Sequence, residues 1–455
     1  LLYKAGYLQS LPESFSFVAS TMFWARPYIL EPLLRMNIGF ESFESEPLPS
    51  DGCLPHAVER FIGLLVEIQG CKIKSIDQDG IVSDPEPDKI YPFATPPAHL
   101  RLRELKSIVF YSAYEEAYAI EHLRITAPFT AAGVEIIEGV RNGIADPDLA
   151  GQGDAVIFQR EFPKNVVLYD QIVTNARAAG KFVFYELDDL LFELPENHPE
   201  RKQELYNEAL LPMVTAMVEA DLVLVPTEEL RRAAECFNSN VIVLPNYLDD
   251  TIWHLRTPGH SSDGQPLKIG YMGSNSHTPD LALIAPAIKM VLEKYGGKVE
   301  LDVWGTPPPG ELNDVKGINW FPAPTNVYKD FVKVFQTLEF DIAIAPLADN
   351  YFNRCKSGLK FLEYSANGVV GVYTRIAPYE SIVHDGVNGF LAGNVDEWFE
   401  RLSKLIEDAA LRQKMSESAQ YEVHDNWLLS KNIYSWKDIL NKLTRPNYLE
   451  DLSKF

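Results

Sequence analysis

The chain has 455 residues, of which 46% are apolar and 23% are charged, and its formal net charge is −23. Typical domains of roughly 100–200 residues predict about three domains for this length. The acidic charge excludes proteins that wrap a nucleic-acid backbone or lie on an anionic membrane, because both need a concentrated basic surface. The four cysteines lack CxxC or metal-ligand spacing, which indicates a reduced compartment.

The start of the chain carries no targeting pattern. The first residues are not organised as a signal peptide, and no apolar stretch reaches the roughly 20 residues that cross a bilayer. We therefore expect a cytoplasmic protein. The sequence begins at Leu1 without an initiator Met, so we expect a longer natural polypeptide.

Residues 1–76 form the first predicted unit. They contain the string Met22-Phe-Trp-Ala-Arg-Pro27, then Asp51-Gly, then His56-Ala-Val-Glu-Arg60, with a helix predicted over 55–66. This run resembles the C-terminal end of the rhamnan synthesis protein F family, which implies part of a glycosyltransferase-like module. Asp51, His56 and Glu59 could form an acid/base or metal cluster there, although structural roles are favoured. Residues 77–105, rich in Pro and Asp, are predicted to be a linker.

Residues 106–254 alternate short apolar runs with helical patterns. Such runs are typical of buried parallel strands in βαβ units, and a helix is predicted over 170–179 between two of them. The predicted strands are 108–111, 155–158, 182–185, 222–225 and 241–244. This pattern predicts a Rossmann-like lobe.

A polar segment rich in Gly, Pro and Ser, residues 255–266, separates this lobe from a second alternation over 267–425. The predicted strands there are 268–271, 299–303, 341–345 and 369–372. The fold class is therefore α/β, with two Rossmann-like lobes and a ligand cleft between the carboxyl ends of their sheets. An amphipathic stretch, 428–443 within the final unit 426–455, is predicted to pack back across the hinge.

One helix of the second lobe carries the most informative chemistry. A helix is predicted to start at Ser357, and it places Lys356, Lys360 and Glu363 along one face. Lysines near a helix start oppose the macrodipole, but an anion bound there, such as a diphosphate, would make them favourable. The alternative is a solvated face in which Glu363 pairs with Lys360.

The same region resembles the donor lobe of the "glycosyl transferases group 1" family, which has the two-lobed GT-B fold. The match rests on Leu362-Glu-Tyr-Ser-Ala-Asn-Gly-Val-Val370 and Glu380-Ser-Ile-Val-His-Asp-Gly-Val-Asn-Gly-Phe-Leu391. The resemblance implies a nucleoside-diphosphate-sugar donor whose ribose contacts Glu363. The first glutamate of the family motif falls on Cys355, and we expect Lys356 to substitute for it.

The family often has an Arg and a Lys for the diphosphate after the first donor-lobe strand. Here Gly273, Ser274 and His277 occupy that stretch, as a phosphate cradle or a helix-capping turn.

The first lobe supplies candidate catalytic residues. Asp188 and Asp189 follow the strand at 182–185, where related transferases often carry His-Asp, so either could be a general base or a helix cap. Arg124 and Arg160 are candidates for binding acceptor or phosphate, although structural salt bridges are favoured for both.

These features predict a metal-independent hexosyl- or rhamnosyltransferase that uses a UDP-, GDP- or dTDP-linked sugar and a saccharide or lipid-linked saccharide acceptor. Bacterial surface polysaccharide assembly, rhamnan or O-antigen-like, is the expected setting, with peripheral association with membrane-bound machinery. No cofactor beyond the donor is expected, and no nucleic acid partner. The alternatives are a non-catalytic saccharide-binding or scaffolding module and a nucleotide-sugar epimerase.

Overall fold

The structure is a computed structural model that describes residues 105–113, 118–238, 240–259 and 264–442. Before residue 105 it describes only the backbone of two short antiparallel pairs, Ser14–Ser16 with Ile90–Pro92 and Ser75–Ile76 with Val82–Ser83. The predicted helix over 55–66 and the cluster of Asp51, His56 and Glu59 lie outside the described residues.

The first lobe is built on a parallel six-stranded sheet with the order β6-β5-β4-β3-β1-β2. The central strands are buried along their length because their side chains are apolar on both faces. The strands are β1 (Ser107–Tyr111), β2 (Glu135–Glu138), β3 (Ala155–Gln159), β4 (Phe182–Glu186), β5 (Leu222–Val225) and β6 (Val241–Val243).

Helices cover both faces of this sheet, and polar caps define several of their ends. Asn165 accepts hydrogen bonds from two backbone N–H groups at the start of α2, and Thr227 Oγ1 accepts one from the Leu230 N–H at the start of α5. The helices are α1 (Ala119–Glu121, continued by a π-helical turn His122–Thr126 and by Ala127–Ala132), α2 (Val166–Ala178), α3 (Pro199–Lys202), α4 (Leu210–Glu219) and α5 (Glu228–Ala234).

The second lobe repeats this architecture with the strand order β9-β8-β7-β10-β11-β12, again all parallel. The chain therefore crosses from one side of β7 to the other after β9, which creates a topological switch point at the carboxyl end of β7. The strands are β7 (Leu267–Gly273), β8 (Val299–Gly305), β9 (Ile318–Phe321), β10 (Ile342–Ala345), β11 (Val370–Thr374) and β12 (Phe390–Ala392).

The helices of the second lobe are α6 (Thr278–Leu283), α7 (Ala285–Lys294), α8 (Tyr328–Phe335), α9 (Tyr351–Arg354), α10 (Leu359–Ala366), α11 (Ala377–Glu380), α12 (Val395–Glu407) and α13 (Ala409–Asn426). Short 3-10 turns lie at Pro147–Gly151, Leu191–Glu193, Asn275–His277 and Gly310–Leu312. Among the helices of the described residues, none is long and apolar enough to cross a membrane.

The last helix, α14 (Leu429–Lys442), returns to the first lobe and packs against α1. Leu429, Ile433 and Trp436 join the core between the first sheet and α1. Trp436 lies edge-on against Phe129, with ring centroids 5.6 Å apart. The second lobe is thus tied to the first by a helix that packs beside its core.

The structure confirms the α/β fold class with two Rossmann-like lobes, and each predicted strand is present within two residues at either end. Three further strands of the two six-stranded sheets, β2, β9 and β12, were not predicted. All three lie at sheet edges, and β2 and β9 are only half-buried, so their sequences lack continuous apolar runs.

Candidate active site

The candidate site lies in the cleft where the carboxyl ends of both sheets meet. The first lobe contributes Arg160 after β3 and the pair Asp188 and Asp189 after β4. The second lobe contributes the turn after β7 and the segment between α9 and α10. Parallel sheets bind ligands at this edge, because the loops that leave the strands open there.

Asp188 is held from within its own lobe. The Nη1 atom of Arg160 lies 3.1 Å from both carboxylate oxygens of Asp188, and its Nη2 donates to Tyr206 Oη at 3.1 Å. Arg160 adopts a left-handed backbone conformation, with φ of 54°, which is uncommon outside glycine and clusters at functional sites. Burial raises the pKa of Asp188 to about 7, against the opposing effect of Arg160.

Asp189 makes its ion pair across the cleft. The Nζ atom of Lys356 lies 3.1 and 3.2 Å from the two Asp189 oxygens, and both side chains are largely buried. Burial alone would raise the pKa of Asp189, but the ammonium of Lys356 and the guanidinium of Arg160 bring it below its usual value. Lys356 also lies over the Phe352 ring, 4.4 Å from its centroid.

Two further contacts hold the residues on either side of Lys356. Thr227 Oγ1 donates to the carbonyl oxygen of Cys355 at 2.7 Å, and Asn246 Nδ2 donates to Ser357 Oγ at 2.9 Å. Cys355 itself is fully buried and packs with the core of the first lobe. Three consecutive residues of the second lobe are therefore each held by a different loop of the first.

The helix that follows begins at Leu359, so its predicted start at Ser357 is wrong. The Ser357 hydroxyl accepts from Asn246 across the cleft and makes no cap. The residue directly before the helix is Gly358, where a Cβ would lie 2.7 Å from the carbonyl oxygen of Pro378. Only Lys360 therefore lies in the first helical turn, and Lys356 lies before the helix.

Lys360 and Glu363 lie one turn apart on α10. Lys360 Nζ donates to the carbonyl oxygen of Met272, at the end of β7, and lies 5.6 Å from the centroid of the Tyr271 ring. Burial lowers the pKa of Lys360. Burial raises the pKa of Glu363 to about 7, and the nearest hydrogen-bond donor to its carboxylate is Tyr328 Oη at 3.5 Å.

The turn after β7 brings a histidine and a serine to the same edge. His277 Nδ1 lies 2.8 Å from Asp280 Oδ2, and burial lowers the pKa of His277 despite that carboxylate. Ser274 is exposed, and its hydroxyl lies 2.7 Å from the hydroxyl of Ser276. Gly273 ends the strand, where a Cβ would lie 2.5 Å from Tyr271 Oη.

Arg124 does not face the cleft. It is 1% exposed, and its Nε donates to Glu186 Oε1 at 2.7 Å. Its Nη1 donates to the carbonyl oxygen of Leu244 and, at 3.0 Å, to Asn246 Oδ1. Arg124 thus links the ends of β4 and β6 from inside the first lobe.

The structure adds His198 to this group, a residue that the sequence pattern did not single out. Its ring lies edge-on to Phe352 of the second lobe, with centroids 5.2 Å apart. His198 belongs to no motif, and the helix that follows it, α3, has only four residues, which is too short for a periodic pattern. Only the packing of α3 beside the turn after β7 brings it to the cleft.

A cavity of about 250 Å³ lies between the lobes beside Lys356. Apolar side chains form most of its wall, including Pro378, Ile382 and Trp427, and polar groups of Thr227 and Asn246 are also present. The space suits a small ring with hydroxyl groups.

Within the described residues, no group of three His, Cys, Asp or Glu side chains is placed to hold a metal ion. The cations Lys356, Lys360 and Arg160 and the carboxylates Asp188 and Asp189 converge instead. Such a set can bind an anionic group and accept a proton from a hydroxyl in the same cleft.

Comparisons with known proteins agree with this geometry. Residues 266–408 match the "Glycosyl transferases group 1" family, and residues 10–70 match "Rhamnan synthesis protein F". Both resemblances expected from the sequence are therefore confirmed over these segments. The first contains the turn after β7, Lys356, Lys360 and Glu363; the second lies almost entirely outside the described residues.

Solved structures share the fold at low sequence identity. The chain aligns with Anabaena HepE, in a crystal structure with UDP-glucose, at 13% identity and a TM-score of 0.51, over 77% of this chain and 100% of that one. It aligns with a sucrose-phosphate synthase from Thermosynechococcus elongatus at 9% identity and a TM-score of 0.52, over 74% and 99% of the two chains. The fold is that of the GT-B glycosyltransferases.

The curated relatives match only a short segment. The uncharacterized protein WxcX of Xanthomonas campestris pv. campestris is 43% identical over 70 residues, which are 15% of this chain and 10% of that protein. The chain therefore spans about a tenth of the length of the curated relatives it matches. Residues 105–442 therefore have the GT-B fold, and within them residues 266–408 match the "Glycosyl transferases group 1" family.

Proposed function

We propose that this protein transfers a sugar from a nucleoside-diphosphate-sugar to a saccharide acceptor. The observation that carries the proposal is the convergence of Asp188 and Asp189 from the first lobe with Lys356 and Lys360 from the second. A transferase of this kind must neutralise a leaving diphosphate and deprotonate an acceptor hydroxyl within one cleft. Cations and carboxylates on opposite walls meet both needs.

In the proposed complex, the donor's diphosphate lies between the turn after β7 and the start of α10. Lys356 and Lys360 neutralise its charge, and Ser274, His277 and the backbone at Gly273 donate hydrogen bonds to its oxygens. Glu363, one turn deeper on α10, accepts from the ribose hydroxyls. HepE, which shares the fold, binds UDP-glucose in its crystal structure, and this supports a donor of the same chemical class.

Asp189 is the proposed general base. Asp188 has both oxygens engaged by Arg160 inside the first lobe, whereas Asp189 points across the cleft to Lys356. A donor phosphate that attracts Lys356 would leave the Asp189 carboxylate able to accept the acceptor's proton. We place the acceptor ring beside this carboxylate, with the 250 Å³ cavity as room for part of it.

The match of residues 10–70 to rhamnan synthesis protein F supports a setting in bacterial surface polysaccharide assembly. The proposed acceptor is then a growing saccharide or a lipid-linked one. Rhamnose and a hexose are both proposed sugars, and the donor base is one of uracil, guanine or thymine.

A saccharide-binding module without transfer activity is the second candidate. Cys355 favours it, because this buried thiol takes the place of a glutamate that contacts the donor sugar in the family. Such a module would bind saccharide without binding a nucleotide.

The test is calorimetric titration of UDP, GDP and dTDP, with and without Mg²⁺, into the wild type and Lys360→Ala. We expect one diphosphate to bind the wild type without Mg²⁺ and to lose at least tenfold in affinity in the variant, since a charge-assisted contact is removed. Lys333→Gln is the matched control, because Lys333 is exposed on α8 and pairs only with Asp330 among the described residues.

Release of the nucleoside diphosphate from the matching sugar donor, with a saccharide acceptor added, then measures transfer. Absence of binding by all three nucleotides would reject the transferase proposal. Retained binding of a saccharide in Lys360→Ala would favour the saccharide-binding module.

A further inference from the structure

The inference concerns His198, which the first lobe presents to the second. Its side chain is nine-tenths buried, and its buried Nδ1 atom has no hydrogen-bond partner in the part of the chain that the structure describes. An unsatisfied buried polar atom carries a desolvation penalty, so its retention in a native structure calls for an explanation. A protonated ring whose Nδ1–H faces a neighbouring carboxylate is one that can be tested.

The surroundings of His198 are those of the proposed diphosphate site. Phe352 of the second lobe contacts the His198 ring, and the ammonium of Lys356 lies 4.4 Å from the centroid of the same Phe352 ring. Helix α3, which follows His198, packs beside the 3-10 turn Asn275–His277. His198 therefore faces, from the opposite lobe, the two second-lobe segments that the proposed donor contacts.

The carboxylate of Glu200 lies near the imidazole ring of His198. Glu200 Oε2 lies 4.0 Å from His198 Nδ1 and accepts from Tyr206 Oη at 3.1 Å. Tyr206 in turn accepts from Arg160, which holds Asp188. A protonated His198 could thus share its Nδ1 proton with Glu200 and turn Nε2–H towards an anion, the arrangement in which a carboxylate orients an imidazolium.

The charged groups around His198 come from both lobes. Glu200 and Asp189 belong to the first lobe, and Lys356 and Asp280 belong to the second. Burial and then the charge of Lys356 keep the pKa of His198 below its usual value, which favours the neutral ring in the free protein. A bound anion would offset Lys356 and favour the protonated ring.

We infer that His198 is a ligand of the donor's diphosphate, supplied by the lobe opposite to the donor-binding segments and oriented by Glu200. This inference rests on the proposed function, because it assigns a further contact to the same substrate. It makes diphosphate binding depend on contacts from both lobes. It also predicts that binding takes up a proton.

The experiment titrates inorganic pyrophosphate into the wild type, His198→Gln and Glu200→Gln by calorimetry, at pH 6.5 and 8.5, in buffers of different ionisation enthalpy. We expect His198→Gln to lose about tenfold in affinity at pH 6.5 and less than threefold at pH 8.5, since the imidazolium contact is present only at the lower pH. Proton uptake at pH 6.5 should fall in both variants.

His254→Gln is the matched control, because His254 is exposed and belongs to the segment between β6 and β7. Circular dichroism and thermal unfolding check that each variant is folded. Wild-type affinity and proton uptake in His198→Gln would overturn the inference.

The two proposals fail differently. If pyrophosphate binds the wild type and is lost in Lys360→Ala but not weakened in His198→Gln, only the role of His198 is rejected. If the wild type binds neither pyrophosphate nor UDP, GDP or dTDP, the proposed function is rejected, and the role of His198 with it.

Discussion

Lys356 and Asp189 belong to different lobes and form an ion pair across the cleft, with Nζ–Oδ distances of 3.1 and 3.2 Å. In the proposed reaction, each of these two groups must interact with a substrate and not with the other. Lys356 would bind a phosphate, and Asp189 would accept a proton. The ion pair is therefore a competitor that the donor must displace.

Asp189→Asn should separate binding from transfer. The amide removes the carboxylate that competes for Lys356, so we expect affinity for the nucleoside diphosphate to rise about three- to tenfold. The rate of transfer should fall by about 10²–10⁴-fold, because a general base is lost. Calorimetry and a product-release assay measure the two effects.

Asp330→Asn serves as control for Asp189→Asn, since Asp330 pairs with a lysine on the exposed side of α8. A variant that binds nucleotide more tightly and still transfers sugar at the wild-type rate would remove Asp189 from the role of base.

The sequence predicted the buried strands because their apolar runs need no long-range information. It also placed Asp188, Lys356 and Glu363 near one edge, since the carboxyl ends of parallel strands share that edge. It did not predict that the helix begins at Leu359 and not at Ser357. The Ser357 hydroxyl instead accepts a hydrogen bond from Asn246, 111 residues away in the chain.

His198 and Arg124 show the same limit of prediction from sequence. His198 lies at the site but was not predicted, and Arg124 was a candidate but lies inside the first lobe. His198 lies in a segment without periodicity, and only the packing of α3 against the second lobe gives it a place in the site. Arg124 follows a pattern that suits the cleft, but a π-helical turn in α1 places it inside, against Glu186. Such outcomes depend on how distant elements pack, which local spacing does not encode.

Trp436→Ala should destabilise the first lobe although Trp436 follows the second lobe in sequence. The ring is 1% exposed, packs against Phe129 and lies 5.8 Å from the Arg124 guanidinium. Removing a buried tryptophan costs about 3–5 kcal/mol in the free energy of unfolding. Urea unfolding followed by circular dichroism measures the change.

Tyr434→Ala on the same helix is the matched control for Trp436→Ala. Tyr434 is 76% exposed, so we expect a change within about 0.5 kcal/mol. Equal effects of the two substitutions would mean that α14 does not dock on the first lobe as described.

Glu363→Gln should stabilise the protein at high pH while weakening donor binding. Burial, above all, raises the pKa of Glu363 to about 7 in the folded state, compared with about 4.3 in the unfolded chain. Below about pH 4.3 the carboxyl group is protonated in both states, and its contribution to the free energy of unfolding is then complete. That contribution is lost as the pH rises through 7, because the buried carboxylate must then ionise. A shift of this size corresponds to up to about 4 kcal/mol in the free energy of unfolding at pH 8.5.

Urea unfolding at pH 5 and 8.5 tests this difference. The wild type should lose stability relative to Glu363→Gln between these values, whereas the two proteins should agree closely near pH 4. Nucleoside diphosphate affinity should meanwhile fall in the variant, because an amide is a weaker acceptor for ribose hydroxyls than a carboxylate. A gain in stability coupled to a loss of binding is the expected signature of a charge buried for ligand recognition. Equal stability at every pH would show that Glu363 is not held in a desolvated site.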